Sequence, residues 1–243
     1  MATITFYGAA RQVTGSCYLI ESPSVGKILL ECGMHQGGDA VDRVRKEHFD
    51  FAPASLDAVI LSHGHLDHSG MLPKLVHEGF TGAIHCTPAT RGLLKILLED
   101  SWGLYQRDLE HSNRRRQRRG AKLRELEYTE ADVKKALKLC EPVPFKTSFD
   151  LSPAAKLCFH DAGHILGSAI VELTLSEDGK EKRLVFSGDL GNTDSALMND
   201  PAILTQADVL MMEGTYGDRD HRDMGTTLDQ FETILRDAWQ RGG

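Results

Sequence analysis

The sequence has no apolar run near the roughly 20 residues that a membrane-spanning helix needs. Its first residues also lack the basic start and the apolar stretch of a secretory signal peptide. The five cysteines are widely spaced and form no C-x-x-C pair, which predicts reduced thiols rather than a disulfide framework. Together these absences predict a cytoplasmic protein with no membrane partner.

The residues that are present are typical of a folded domain. Of the 243 residues, 41% are hydrophobic and 26% are charged, which excludes a disordered or fibrous chain. A chain of this length forms one large domain or two small ones, and it buries enough surface to fold without a disulfide.

Charge is distributed unevenly along the chain. The formal net charge is −7, which is not typical of a simple nucleic-acid coat protein. Residues 107–124 nevertheless contain eight basic residues against two acidic ones. Arginines such as Arg114, Arg115 and Arg116 suit contact with the phosphate oxygens of RNA. The alternative is an ordinary solvated helix end, and the sequence leaves both interpretations open.

Hydrophobic patterning predicts strands near both ends of the chain and helices between them. An amphipathic helix is predicted close to the C-terminus, and Asp178-Gly179 predicts a hairpin turn. The predicted strands are 4–8, 17–21, 27–31, 57–62, 156–161, 168–175, 182–187 and 208–212, and the predicted helices are 69–78, 88–107, 226–240 and one that begins after Thr129 and continues to Cys140.

A histidine cluster follows the apolar strand predicted at 57–62. His63, His65, Asp67 and His68 fall within six positions, and imidazole and carboxylate groups are good ligands for Zn²⁺, Mn²⁺ or Fe²⁺. In an extended segment His63 and His65 point the same way and can share an ion, whereas a turn directs the other two residues elsewhere. The cluster therefore suits two metals better than one, and the alternative is a solvated polar loop.

Two further residues at strand ends are candidate ligands. His164 lies between Gly163 and Gly167, which allow tight turns, and Asp189 follows the strand predicted at 182–187. A carboxylate at this place can bridge two ions. The alternatives are a structural histidine and a turn-forming aspartate.

Taken in order, these motifs resemble the metallo-β-lactamase superfamily. More narrowly they resemble its β-CASP branch, the RNA-processing nucleases related to the nuclease subunit of the pre-mRNA cleavage and polyadenylation machinery. The resemblance implies an αββα sandwich of two mixed sheets. The motifs are GAARQVTGS at 8–16, CGMHQG at 32–37, HGHLDHSG at 63–70, GHILGSA at 163–169, SGD at 187–189 and EGTYGDR at 213–219.

The resemblance also implies a role for each matching residue. One metal is held by His63, His65 and His164, the second by Asp67 and His68, and Asp189 bridges the two. Zn²⁺ is the expected ion at up to two per site. Glu31 stands where the family usually has an aspartate that orients a histidine ligand. Asp67, Asp189 and Glu213 are implied as catalytic residues, and His221 as an RNA contact. Tyr216 is a further candidate RNA contact on its own chemistry, because an aromatic ring in a glycine-flanked loop can stack on a base.

The resemblance implies that the family's β-CASP insertion would follow the last residues of this sequence. We therefore interpret residues 1–215 as the N-terminal part of the metallo-β-lactamase domain, incomplete at its C-terminal end. Residues 216–243 are interpreted as the junction and first helix toward the β-CASP domain. The resemblance places a histidine ligand of the second metal in the missing part, so we expect the second position to be weak and the chain alone to be weakly active. An open sheet edge and an uncovered apolar face of the second sheet also predict a homo-oligomer.

The leading hypothesis for function is hydrolysis of single-stranded RNA by a metal-bound hydroxide. One alternative keeps the metals and changes the substrate to an ester, a thioester or a lactam. Another is a non-catalytic interaction protein that retains an incomplete site.

Overall fold

A computed structural model describes residues 2–37, 40–177, 179–219 and 223–242. The chain divides into two compact units, Met1–Met212 and Glu213–Gly243, whereas the sequence interpretation placed a boundary after residue 215. The strands are β1 (Thr3–Phe6), β2 (Tyr18–Ser22), β3 (Gly26–Leu30), β4 (Ala58–Ile60), β5 (Ala83–Cys86), β6 (Cys140–Pro142), β7 (Phe149–Ser152), β8 (Ala155–Asp161), β9 (Ala169–Glu177), β10 (Lys180–Phe186) and β11 (Val209–Met211). The helices are α1 (Ala40–Lys46), α2 (Leu66–Ser69), α3 (Leu72–His77), α4 (Pro88–Arg118), α5 (Glu130–Leu139) and α6 (Met224–Gln240).

The first sheet has the order β1-β2-β3-β4-β5-β6. Its first three strands form an antiparallel meander, and β3 to β6 run parallel. Parallel strands need long crossover connections, and here those connections carry the helices. β4 is buried along its whole length, which explains why its residues are apolar without alternation.

The second sheet has the order β11-β10-β9-β8-β7. It is antiparallel except for the β10–β11 pair, which is parallel. Glu177 pairs with Lys180, which confirms the predicted hairpin between β9 and β10. Gly179 adopts a φ of 74°, a conformation that glycine reaches without strain, while Asp178 lies outside the described residues.

The two sheets pack face to face and bury the first part of the core between them. Ile20, Leu30 and Ile60 of the first sheet belong to the same cluster as Leu157 and Phe186 of the second. The other face of the first sheet packs against α1, α3, α4 and α5 in a second cluster. This arrangement confirms the predicted sandwich of two mixed sheets with helices outside.

The outer face of the second sheet differs from the expectation of an uncovered apolar surface. Glu172 on this face contacts His160 at 2.9 Å and Arg183 at 3.1 Å, so polar groups occupy much of it. A small apolar cluster is covered by loop residues that include Leu190 and Leu204. The expectation was wrong because alternate residues of β8, β9 and β10 are polar, which is the pattern of a sheet with one wet face.

Several elements extend or interrupt the predicted ones. α4 continues to Arg118 instead of ending near 107, so the arginine run lies on the last turns of a helix. The helix predicted to continue to Cys140 ends at Leu139, and Cys140 begins β6. The helix predicted over 69–78 is shorter and spans only Leu72–His77 as α3, because a separate turn, α2, precedes it and ends at Ser69. The short elements α1, β5, β6 and β7 have too few residues to produce a clear periodic pattern.

No described helix is both long enough and apolar enough to cross a membrane.

Candidate metal centre

The predicted ligands come together at one edge of the sandwich. His63 and His65 follow β4, His164 follows β8 and Asp189 follows β10, so ligands far apart in sequence meet beyond the ends of their strands. His65 is the residue before α2, and the single turn of α2 carries Asp67 and His68. The structure therefore unites all six predicted metal ligands.

Four ligand atoms define a first metal position. Nε2 of His63 and Nε2 of His164 lie 3.1 and 3.3 Å from Nδ1 of His65. Oδ2 of Asp189 lies 3.7 Å from His63 Nε2 and 3.6 Å from His164 Nε2. A tetrahedral ion with ligands at about 2.0–2.1 Å requires ligand atoms about 3.3 Å apart, so these four atoms fit zinc.

The imidazoles at this position are held in a form that can bind a cation. His63 is fully buried, and its Nδ1 lies 3.0 Å from the hydroxyl of Ser62, which leaves Nε2 directed at the other ligands. Burial lowers the pKa of His63 well below its usual value, and burial also lowers the pKa of His65. Both rings are therefore neutral at physiological pH, as metal ligation requires.

A second position lies on the other side of the Asp189 carboxylate. Oδ1 of Asp189 is 3.3 Å from Nε2 of His68, and Oδ2 of Asp67 is 3.9 Å from the same nitrogen. Asp189 thus directs one oxygen at each position, as the predicted bridging role requires. The described residues supply three ligands here and four at the first position.

Glu31 holds His68 from behind. Its Oε2 lies 2.8 Å from His68 Nδ1, and its Oε1 accepts a hydrogen bond from the backbone N–H of Ser62. Glu31 adopts a φ of 65°, in the left-handed region that is unusual for a side-chain-bearing residue. Glu31, His63 and His68 also converge closely enough to suggest a metal cluster. Both carboxylate oxygens of Glu31 are already engaged, so we assign it to orienting His68.

The charges of these groups are strongly coupled. Burial alone lowers the pKa of His68, but hydrogen bonds to Asp189 and Glu31 outweigh it and raise that pKa to about 10. Burial raises the pKa of Asp189, yet the hydrogen bond and positive charge of His68 bring it down to about 2. Burial raises the pKa of Glu31. Without metal, a protonated His68 is therefore stabilised between two carboxyl groups.

Close backbone contacts fix the loops that carry the ligands. A Cβ on Gly33 would lie 1.7 Å from the carbonyl oxygen of Asp67, so only glycine allows this approach. The N–H groups of Cys32 and Met34 donate to the carbonyls of His68 and Leu66 at 2.8 and 2.9 Å. The α2 turn is thereby anchored to the segment that follows β3.

The loop of His164 is anchored in a different way. The hydroxyls of Thr87 and Thr90 both donate to the carbonyl oxygen of Gly167, at 2.7 and 2.9 Å. A Cβ on Gly191 would lie 1.9 Å from the carbonyl oxygen of Gly163, so the loops of His164 and Asp189 interlock. The supporting roles of Ser62, Thr87 and Thr90 were missed by sequence reasoning, because no spacing rule identifies a hydroxyl that serves a distant loop.

The remaining predicted residues belong to the second unit, to the end of α4 or to the part of the chain outside the described residues. Glu213 and Tyr216 belong to the second unit, where the guanidinium of Arg219 lies 5.3 Å from the centre of the Tyr216 ring. His221 is not among the described residues. Arg114 and Arg115 are exposed, whereas Arg116 is half-buried.

Comparison with known proteins identifies the family to which the chain belongs. The family model described as "Metallo-beta-lactamase superfamily" matches residues 10–136, just over half of the chain. The chain belongs to the metallo-beta-lactamase superfamily. The structure resembles that of BJP-1, a subclass B3 metallo-beta-lactamase of Bradyrhizobium japonicum. The TM-score is 0.50 and the sequence identity is 16%, over 98% of this chain and 92% of that one. That similarity supports the fold alone.

Curated relatives point to the RNA-processing branch of this superfamily. The chain is 38% identical over 239 residues to Ribonuclease TTHA0252 of Thermus thermophilus, covering 98% of this chain and 49% of that protein. It is 33% identical to the transcription termination factor FttA of Methanocaldococcus jannaschii, covering 99% of this chain and 36% of that protein. It is 28% identical to Cleavage and polyadenylation specificity factor 73 of Drosophila melanogaster, covering 97% and 32%. The chain thus spans at most about half the length of these relatives.

Proposed function

We propose that this chain carries the metal centre of a hydrolase that cleaves phosphodiester bonds in single-stranded RNA. The observation that carries the proposal is the tetrahedral spacing of the ligand atoms of His63, His65, His164 and Asp189. The 38% identity to a ribonuclease supports the choice of RNA over other substrates. We also propose that the protein acts in the cytoplasm, because no described helix spans a membrane and because the relatives process RNA.

Zinc is the ion that the donor set supports best, with Mn²⁺ and Fe²⁺ as alternatives for nitrogen and oxygen ligands. When bound, two such ions supply an activated water and balance the negative charge of a phosphodiester. In the chain itself, Asp189 sets the spacing between the two positions because its oxygens face opposite sides. Glu31 keeps Nε2 of His68 directed at the second position, and Asp67 completes the described ligands there.

The basic end of α4 lies far from the reacting bond. α4 begins beside the His164 loop and reaches Arg114 after 26 residues, which is about 40 Å at 1.5 Å per residue. We propose that Arg114 and Arg115 contact a distant part of a bound RNA, since both are exposed. Arg116 contributes less, because its Nε donates to the carbonyl of Lys122 and stabilises the end of the helix.

We propose that Glu213 supports the catalytic centre and that His221 contacts RNA, as the resemblance implies, and that Tyr216 stacks on a base. A Glu213→Gln substitution should lower RNA cleavage and leave the metal content unchanged. Replacing Tyr216 with Leu should weaken binding of single-stranded RNA by about fivefold or more, which is typical of a lost stacking contact.

We also propose that the chain self-associates through its exposed apolar surfaces. The second unit offers Phe231 and Trp239 on α6, and the first unit offers Val209 and Leu210 on the edge strand β11. Light scattering at micromolar concentration should give a mass above 26.9 kDa, and replacing Phe231 and Trp239 with serine should reduce it. A monomeric mass that both proteins share would exclude this association.

The function is tested by cleavage of a 5′-labelled single-stranded RNA of 30 nucleotides, together with the metal content of the protein. We expect weak, zinc-dependent cleavage that a chelator abolishes and that a His65→Ala variant purified in parallel does not show. Turnover of an ester or a lactam without RNA cleavage would favour the second hydrolase hypothesis. The absence of stoichiometric metal would favour an interaction protein.

A further inference from the structure

A cavity of about 420 Å³ lies beside the metal centre and has no role in the reaction proposed above. It opens between the segment that follows α1 and the loop that joins β1 to β2. Its volume is in the range of sites that bind small molecules or single residues of a polymer. The residues that line it and carry the inference are Tyr7, Arg43, Lys46, His48, Phe49 and Phe51.

The cavity shares a wall with the second metal position. Gly33 lines the cavity, and the Cβ position of the same residue points at the carbonyl oxygen of Asp67. On either side of Gly33, the backbones of Cys32 and Met34 bond to the α2 turn. The segment 32–34 therefore joins the wall of the cavity to the turn that carries Asp67 and His68.

Aromatic rings form the apolar part of the lining. The ring centres of Tyr7 and Phe51 are 5.0 Å apart, and those of Phe51 and Phe49 are 5.3 Å apart. All three side chains are half-buried, so part of each ring remains accessible. Nucleobases stack on such rings without strong preference, because every base has a π-face.

Positive charge lies at the rim of the cavity. Arg43 and Lys46 are three residues apart on α1, so they lie on one side of the helix, and the exposed His48 follows them. The lining contains two acidic residues, Glu47 and Asp50. The Glu47 carboxylate is engaged by His35, because it accepts a hydrogen bond from the backbone N–H at 2.8 Å and lies 3.3 Å from Nδ1. Asp50 remains as a counter-charge. Nη1 of Arg43 donates to the carbonyl oxygen of Gly37 at 3.1 Å, which holds the guanidinium group in the lining of the cavity.

We propose that this cavity binds one nucleotide of the RNA, with its base against Phe49 and Phe51 and its phosphate at Arg43 and Lys46. The inference rests on the proposed function for the choice of RNA. The cavity would set the position of the strand relative to the metals. It would tolerate any base, because neither ring offers a hydrogen-bonding pattern that distinguishes one base from another.

Crosslinking without catalysis tests the proposal. An RNA octamer that contains one 4-thiouridine is bound to protein freed of metal with a chelator, irradiated, and mapped by mass spectrometry. We expect at least one position of the thiouridine to crosslink to the peptides that contain Tyr7, Phe49 or Phe51. Crosslinks that lie only elsewhere at every position of the thiouridine, or no binding at all, would overturn the proposal.

Substitutions give a second measurement on the same octamer. Phe49→Leu keeps an apolar side chain and should weaken binding about tenfold, which is within the range for loss of one base–aromatic stack. Lys46→Ala should weaken binding and reduce the slope of the logarithm of the binding constant against the logarithm of salt concentration by about one. Phe149→Leu and Lys135→Ala are matched controls outside the cavity and should change neither. If the controls and the cavity variants weaken binding equally, the cavity has no specific role.

The two proposals can fail separately. Crosslinks in the cavity together with no zinc-dependent cleavage would retain the nucleotide site and remove the proposed hydrolysis. Cleavage that depends on His65, with crosslinks confined to other surfaces, would retain the hydrolysis and remove the nucleotide site.

Discussion

The two metal positions share Asp189 but are built in opposite ways. The first takes its ligands from three loops that are distant in sequence, and these loops interlock through close backbone contacts. The second takes both of its own ligands, Asp67 and His68, from one turn of helix. A site assembled from distant loops forms only when the whole sandwich has folded, whereas one on a single turn depends on how that turn is oriented.

The positions also differ in their charge before metal binds. At the first position burial keeps His63 and His65 neutral, so their nitrogens are ready to bind a cation. At the second position His68 is held protonated between Glu31 and Asp189. An ion at the second position must therefore displace a proton and an internal ion pair. The comparison indicates a tight first position and a weaker second one.

The largest expected effect is the loss of the first ion. His65→Ala removes the nitrogen that lies 3.1 and 3.3 Å from the other two imidazoles. Removing a direct ligand should lower zinc affinity by more than the roughly 10- to 100-fold that is typical for the loss of an outer partner. Competition with a chromophoric chelator measures this affinity. Equal affinities in the variant and the parent protein would show that the ligand assignment is wrong.

A smaller effect is expected at the second position from Glu31→Gln. The amide retains the size of the side chain but removes the charge that orients and stabilises His68. The affinity for the second ion should fall by about 10- to 100-fold, because Nε2 of His68 is no longer held toward that position, while the affinity for the first ion stays nearly constant. Isothermal titration with zinc resolves the two steps.

The structure offers a matched control for this substitution. Glu172 lies 2.9 Å from Nε2 of His160 on the outer face of the second sheet, a carboxylate–imidazole distance close to the 2.8 Å between Glu31 and His68. Glu172→Gln should leave both zinc affinities unchanged. A similar loss in both variants would mean that the effect is one of general stability and not of ligand orientation.

The sequence predicted the ligands of both positions better than it predicted their support. His63, His65, Asp67 and His68 are close in sequence, and a dense cluster after an apolar strand is a strong local signal. Assigning His164 and Asp189 to particular metals depended on the family resemblance, because spacing alone cannot bring separate loops together. All six side chains lie together at one edge of the sandwich, and their assignment to particular metals stays a prediction.

The parts of the fold that sequence reasoning missed share a physical cause. Short strands such as β6 have only three residues, so no alternation can be recognised in them. Cys140 fitted the apolar stripe of α5, but the chain leaves the helix there because β6 adds to the edge of the first sheet beside β5. Tertiary pairing therefore overrides a local pattern at this position.

The number of protons released when zinc binds is a third property that should distinguish the two metal positions. At pH 8 His68, with its pKa raised to about 10, carries a proton that must leave before Nε2 can bind zinc. The second ion should therefore release about one proton from this residue. His63 and His65, whose pKa values are lowered, and Asp189, whose pKa is lowered to about 2, have no proton to release to the first ion.

Titration of zinc at pH 8 in buffers of different ionisation enthalpy measures these protons. Because the pKa of His68 lies above the working pH, the apparent affinity for the second ion should rise as the pH increases from 7 toward 10. The affinity for the first ion should depend less on pH over the same range. Equal proton release in both steps would contradict the proposed difference in charge.

The smallest expected effect concerns the support of the His164 loop. Thr87→Val removes the hydroxyl that donates to the Gly167 carbonyl and that caps the start of α4 by accepting from the N–H of Thr90. Because Thr90 also donates to Gly167, the loop keeps one of its two bonds. The free energy of unfolding measured with urea should fall by about 1 kcal/mol. Thr129→Val removes a comparable cap from α5 and should destabilise the protein similarly. Only the Thr87 variant should also release the first zinc faster, because only that hydroxyl positions a ligand loop. Equal rates of zinc release from the two variants would show that the His164 loop needs no support from α4.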